Sequence, residues 1–126
     1  MSIYPEMGME TLSDIDLLAL KHLRDALMRV ETLGLPAVIC LITIALKEGI
    51  SVSELADQTG APQQSASRYV SQLMGRYQTE FSSTPFEPLV EQRISAADPR
   101  KRSLYLTQRG ATLVRELIAA RTSAGV

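Results

Sequence analysis

The 126-residue sequence predicts a mainly α fold that carries one small β-hairpin, and three observations lead there. Apolar residues recur at spacings of three and four through most of the chain, the period of a helix packed on one side. Two short segments, PLVEQRI and SLYLT, alternate instead, and the turn-forming stretch AADPRKR separates them. Composition agrees. Trp is absent, aromatics make up 5%, and Leu, Ile, Val, Ala and Met supply most of the 45% hydrophobic content, a mixture suited to helix-on-helix cores.

The elements follow in order. In LSDIDLLALKHLRDALMRVETL the residues Ile15, Leu18, Leu23, Ala26, Leu27 and Val30 lie close to helical spacing, and Ser13 stands as the N-cap. Asp14 and Asp16 occupy the first turn, where the helix dipole favours carboxylates, and Gly34 is the expected stop. LPAVICLITIALKEG restarts a helix with Pro36 in its first turn and Gly49 as its end; apolar nearly all round, it is expected at the centre of the core. SVSELADQTG is a short third helix, capped by Ser51 or Ser53, with Leu55 and Ala56 inward and Gly60 at its end.

APQQSASRYVSQLMGRY is the fourth helix, with Pro62 near its start. Its packing stripe is Ala66, Val70, Leu73 and Tyr77, which leaves Gln63, Gln64, Ser67, Arg68 and Ser71 on the other side. QTEFSSTPFE loses periodicity and reads as a loop. In the first strand Leu89, Glu91 and Arg93 alternate with Val90, Gln92 and Ile94, and in the second Leu104 and Leu106 share a face. QRGATLVRELIAARTS closes the pattern as a helix with Leu113, Val114, Leu117 and Ile118.

Length and composition bound the rest. A chain of 126 residues has room for one domain with a real core. The longest apolar run, Pro36 to Leu46, falls short of the roughly 18 residues of a membrane span, and the first residues lack the pattern of a secretory signal. A cytoplasmic protein with no membrane partner is the expectation. Cys40 is the single cysteine, so no internal disulfide can form; within VICLI it is expected as inert core. Charge is divided unevenly. Residues 1–60 carry four bases against nine carboxylates, net −5, and residues 61–126 carry nine against five, net +4. A near-neutral total therefore conceals a basic second half suited to a polyanion.

Two short helices joined by a Gly-containing turn, the second with an outer face of Gln, Ser and Arg, have the sequence form of a helix-turn-helix. With the hairpin behind it and helices at both ends, the order is that of a winged helix. The chain resembles the MarR family of bacterial transcription regulators. Leu55, Ala56, Gly60, Ser67, Arg68, Val70 and Leu73 match the family's helix-turn-helix pattern, and Asp98, Arg100, Leu106, Thr107 and Gly110 match its wing, both without a gap. Val90 lies eight residues before Asp98, as in the family's first wing strand. Three departures stand out: about eleven extra residues between Leu73 and Leu89, Pro88 in place of a glycine, and Pro62 in place of the serine that caps the recognition helix.

The resemblance implies one MarR-like domain over residues 1–126, with dimerisation helices at 12–33 and 108–122 and a winged helix-turn-helix lobe at 35–107. It implies a homodimeric regulator of transcription, a repressor in the expected reading, on a pseudo-palindromic operator in double-stranded DNA. Gln63, Gln64, Ser65, Ser67 and Arg68 are the candidate major-groove surface, since amide and hydroxyl groups read base edges and an arginine reaches guanine or phosphate. Arg100 would enter the minor groove, whose negative potential favours an arginine, while Asp98 fixes the hairpin tip or holds that arginine. Lys101 and Arg102 are assigned to flanking phosphates on charge alone. Ile15, Leu18, Leu23, Leu113 and Leu117 are the candidate dimerisation residues, and a small, often phenolic, effector is the ligand that the family suggests.

Other classes find less in the sequence. Cys40 and His22 are the only soft metal ligands and stand on different helices, so no metal and no cofactor are expected. No paired carboxylate, nucleophile-plus-base set or phosphate loop appears, which argues against an enzyme. The competing reading is a protein-interaction module that modulates transcription or replication through a partner, with Phe81 and Phe86 of the extra segment as its anchors.

Overall fold

The first helix, α1, spans Asp14–Met28 in the computed structural model, which describes residues 11–76 and 87–125. Its start is a capping box: the Ser13 hydroxyl accepts from the Asp16 N–H at 3.2 Å while the Asp16 carboxylate accepts from the Ser13 N–H at 2.9 Å. The helix stops before the predicted Gly34. Val30 leaves helical geometry, and Glu31–Leu33 form one 3₁₀ turn up to Gly34. Breaking there turns Val30 into the core, where it is 3% exposed.

Helix α2, Leu35–Leu46, lies at the centre of the core as its composition predicts, but its apolar surface is not covered all round. Ala37, Val38, Cys40, Leu41 and Ile44 are buried, whereas Leu35, Ile39, Ile42 and Leu46 form an exposed stripe. The physical reason is one-sided packing. Helices α3 (Val52–Thr59) and α4 (Gln63–Leu73), strand β2 (Arg102–Leu106) and helix α5 (Gln108–Gly125) meet α2, and α1 packs chiefly against α5. Ser51, not Ser53, caps α3 through a second capping box with Glu54, and Gly60 ends it with a left-handed φ of 74°.

Helix α4 buries Ala66, Val70 and Leu73 as the periodicity predicts, but ends at Leu73. Gly75, at φ +76°, donates to the Gln72 carbonyl and Arg76 donates to the Ser71 carbonyl, the paired bonds of a Schellman terminus. Tyr77, Phe81 and Phe86 lie outside the described residues.

Strands β1 (Val90–Ile94) and β2 (Arg102–Leu106) form the predicted antiparallel hairpin, with Val90 opposite Leu106 and Gln92 opposite Leu104. Val90 and Leu104 are buried on the inner face. On the outer face the Arg93 guanidinium lies 4.2 Å from the centroid of the Tyr105 ring and pairs with Glu91. Ile50 adds a one-residue bridge to the free edge of β2. Helix α5, Gln108–Gly125, begins immediately after β2.

The core gathers Leu41, Ile44, Ile50, Leu55, Val70, Leu73, Leu89, Val90 and Leu104, with Val30 from the end of α1 and Leu113 from α5. Two contacts position the hairpin. The Leu89 N–H donates to the Leu73 carbonyl at 2.8 Å, so the start of the wing sits directly against the end of α4. Gly110, in the first turn of α5, lies flat against the Leu89 backbone, where a Cβ would overlap the carbonyl group.

Candidate nucleic-acid interface

Helix α4 presents its polar face because its apolar one is fully occupied. With Ala66, Val70 and Leu73 buried against α2 and α3, a 100° step per residue turns Gln63, Gln64, Ser67 and Arg68 outward, and all four are exposed. Ser65 stands at the flank, half-buried. Pro62 supplies no side-chain cap, so the first-turn N–H groups of α4 have no side-chain acceptor. Such free donors at a positive helix end suit a phosphate. The other end is held by Gln72, whose side-chain amide donates to the Leu33 carbonyl at 3.0 Å and ties α4 to the α1–α2 connection.

The wing tip is built around two side chains. Ser95 Oγ accepts from the N–H groups of Ala97 (3.2 Å) and Asp98 (3.4 Å), and Asp98 Oδ1 accepts from the Arg100 N–H at 3.1 Å. The Asp98 carbonyl also accepts from the Lys101 N–H, and the Lys101 carbonyl accepts from the Ser95 N–H. Asp98 thus shapes the tip through the backbone of Arg100, leaving that guanidinium outside the interaction. That contact corresponds to the first of the two roles the sequence allows it, fixing the hairpin tip. Arg100, Lys101 and Arg102 are all exposed, the first two at the tip and the third at the start of β2.

Ion pairs are placed elsewhere. Arg24–Asp25, Arg29–Glu116, Lys47–Glu54 and Arg93–Glu91 are paired, whereas Arg68, Arg100, Lys101 and Arg102 have no acidic partner among the described residues. Cys40 is buried, and desolvation raises its thiol pKa above the ordinary value, which suppresses the reactive thiolate. Among the described residues no group of three or more His, Cys, Asp or Glu is placed to hold a metal ion, and no helix is long and apolar enough to cross a membrane.

The two end helices differ in what they expose. Ile15, Leu18 and Leu23 are 64%, 45% and 44% exposed on α1. Leu113 is 5% exposed and belongs to the chain's own core, and Leu117 is half-buried. Between the end of α1 and α5 lies a cleft of about 660 Å³, lined by Arg29, Leu33, Leu89, Arg109 and Glu116 among others. Sequence reading did not find it, because it is assembled from residues some eighty positions apart.

No family model matches the sequence, and no curated protein matches it either. Solved structures do. The MarR family transcription regulator SP03579 superposes with a TM-score of 0.59 at 17% identity, over 85% of this chain and 62% of that one. RV1404 from Mycobacterium tuberculosis gives 0.66 at 20% identity, over 85% of this chain and 66% of that one. The fold is that of MarR regulators. A mutant of S. aureus MepR bound to an oligodeoxyribonucleotide shares it with a TM-score of 0.59 and 16% identity, over 82% of this chain and 70% of that one. This chain spans about two thirds of the length of these MarR-fold structures. In MarR terms α3 and α4 are the helix-turn-helix, β1 and β2 the wing, and α1 and α5 the flanking helices.

Proposed function

We propose that the protein is a sequence-specific double-stranded DNA-binding regulator of transcription that acts as a homodimer. Helix α4 enters the major groove, where Gln63, Gln64, Ser67 and Arg68 meet base edges and Ser65 the flank, and Arg100 of the wing enters the minor groove. Asp98 sets the tip, and Lys101 and Arg102 contact phosphates. Bound across a promoter, such a dimer is a repressor by exclusion. The observation that carries the reading is the segregation of charge. Arg68 of α4 and Arg100, Lys101 and Arg102 of the wing are left without acidic partners among the described residues, while the acidic first half contains partners for Arg24 and Lys47.

Two-fold symmetry would set two α4 helices about 34–36 Å apart on successive major-groove turns, which calls for a pseudo-palindromic operator. The exposed apolar residues of α1, Ile15, Leu18 and Leu23 foremost, supply the surface for a second copy. A small-molecule effector would occupy the cleft between α1 and α5.

The test is a salt-dependent titration of duplex DNA with the wild type and Arg100→Ala. Counterion release makes log K fall linearly with log salt, and loss of one phosphate-proximal cation lowers the slope by about 1. Affinity that is flat in salt, or unchanged without Arg100, refutes the reading.

A further inference from the structure

The free edge of the wing is held by a side chain where a strand would ordinarily be. Strand β2 directs alternate backbone groups to its two edges. Thr107 donates toward β1, to the Leu89 carbonyl, whereas Leu104 and Leu106 direct their N–H groups to the opposite edge. Leu104 meets Ile50 there: its N–H donates to the Ile50 carbonyl at 2.9 Å and its carbonyl accepts from the Gly49 N–H at 2.8 Å. At Leu106 no backbone is available. The Glu48 carboxylate takes its place and accepts the Leu106 N–H at 3.0 Å.

That contact joins the wing to the turn that leads into the helix-turn-helix. Glu48 belongs to the turn between α2 and α3, which Lys47 and Ser51 both fasten to Glu54 in the first turn of α3. Gly49, at φ +96°, lets the turn pass beside Tyr105, whose hydroxyl would lie 3.5 Å from a Cβ there. One attachment at Leu104 fixes where this edge of the wing meets the turn; a second at Leu106, two residues along the strand, resists rotation about the first.

The lever is long. From Leu106 to Arg102 is four steps of strand, about 13 Å at 3.3 Å per residue, and the tip lies beyond it, so a pivot of ~10° at the base moves the tip by at least about 2 Å. The minor groove is only about 6 Å wide, and a displacement of that size takes an arginine out of register with it.

We propose that Glu48 is a positioning residue for DNA binding, which locks the wing's angle to the helix-turn-helix so that Arg100 reaches the minor groove while α4 occupies the major groove. The proposal rests on the DNA-binding reading above. It assigns an acidic, exposed residue a favourable part in binding a polyanion, opposite to what its charge alone predicts.

The test compares Glu48→Ala, Glu48→Gln, Arg100→Ala and the Glu48→Ala/Arg100→Ala double variant with the wild type, by duplex titration across a salt series and by amide hydrogen exchange without DNA. Gln retains a carbonyl oxygen that can accept from Leu106, so Glu48→Gln should bind within about twofold of the wild type or slightly tighter. Glu48→Ala should lose affinity by about the same factor as Arg100→Ala, with a salt slope lower by about 1, and the double variant should lose nothing more. Exchange at Leu106 should accelerate in Glu48→Ala and in the double variant, and in neither Glu48→Gln nor Arg100→Ala. Tighter binding by both Glu48 variants would show that only the charge matters and overturn the proposal. So would losses that multiply in the double variant, or unchanged exchange at Leu106. Absence of salt-dependent duplex binding by the wild type overturns the DNA-binding reading and this proposal together, whereas normal wild-type binding with an indifferent Glu48→Ala overturns this proposal only.

Discussion

Replacing Gly110 by Ala tests the joint on which the wing and α5 meet. Gly110 is helical and buried, and its φ is not positive, so its own backbone accepts alanine and would gain up to about 1 kcal/mol of helix propensity. Space opposes the change. The new Cβ would overlap the Leu89 carbonyl oxygen and lie 2.9 Å from the carbonyl carbon and 3.3 Å from Cα, all backbone atoms that no rotamer change can move. Relief needs α5 and the 88–89 segment to separate by about an ångström, comparable to the shifts that cost ~1–3 kcal/mol in overpacked cores. That movement also strains the bonds made there: Thr107 N–H to the Leu89 carbonyl at 3.0 Å, and the Thr107 hydroxyl to the Pro88 carbonyl at 2.6 Å, each worth about 1 kcal/mol. The net expectation is a loss of about 2–3 kcal/mol. For a domain of this size that is a fall in Tm of roughly 8–15 °C, read by circular dichroism at 222 nm and by urea denaturation. Gly60→Ala is the control: its φ of 74° carries strain, but nothing lies within 4 Å, so about 1 kcal/mol is expected there. A Gly110→Ala protein as stable as the wild type, or more so, would refute the close approach of α5 to Leu89.

Other consequences follow from the same contacts. Ser51→Ala removes the α3 capping box and should cost about 1 kcal/mol in denaturant unfolding, whereas Ser53→Ala should be nearly silent. Glu54 has its pKa lowered, first by the hydrogen bond from Lys47 and then by the Ser51 N–H, so the stability it contributes is present above the ordinary carboxylate value of 4.5 and is lost as pH falls through the lower folded value; Lys47→Met should weaken that acid dependence in pH-resolved melts. Cys40 should resist a thiol reagent at neutral pH until the chain unfolds. Because burial raises its pKa above 9.0, stability should decline as pH rises past that value, and Cys40→Ala should lessen the decline. Leu18→Glu combined with Leu23→Glu, on the exposed face of α1, should shift sedimentation toward the monomer with little change in helix content.

The helices were legible because each carries its own boundary chemistry. Ser13, Ser51 and Gly60 act within one turn of the chain, and Ala66, Val70 and Leu73 declare their shared face by spacing alone. The hairpin was legible for the same reason, since alternation and the Asp98 turn are local. The candidate interface was legible in its outward residues: a helix with one face buried leaves the other to solvent, and Gln63, Gln64, Ser67 and Arg68 lie there.

What stayed hidden depends on residues that meet only after folding. The outer stripe of α2 looked like core because hydrophobicity tells which residues resist water, and not how many sides of a helix find partners. Leu113 resembled a dimer residue by pattern and proved part of the chain's own core. The Glu48 contact to Leu106 and the approach of Gly110 to Leu89 span 58 and 21 positions, distances over which no periodicity runs. Local rules of capping, turn and spacing thus specify the elements and the groups they offer to solvent. The angle between wing and recognition helix, on which reaching two grooves at once depends, arises from long-range contacts that exist only when those elements pack.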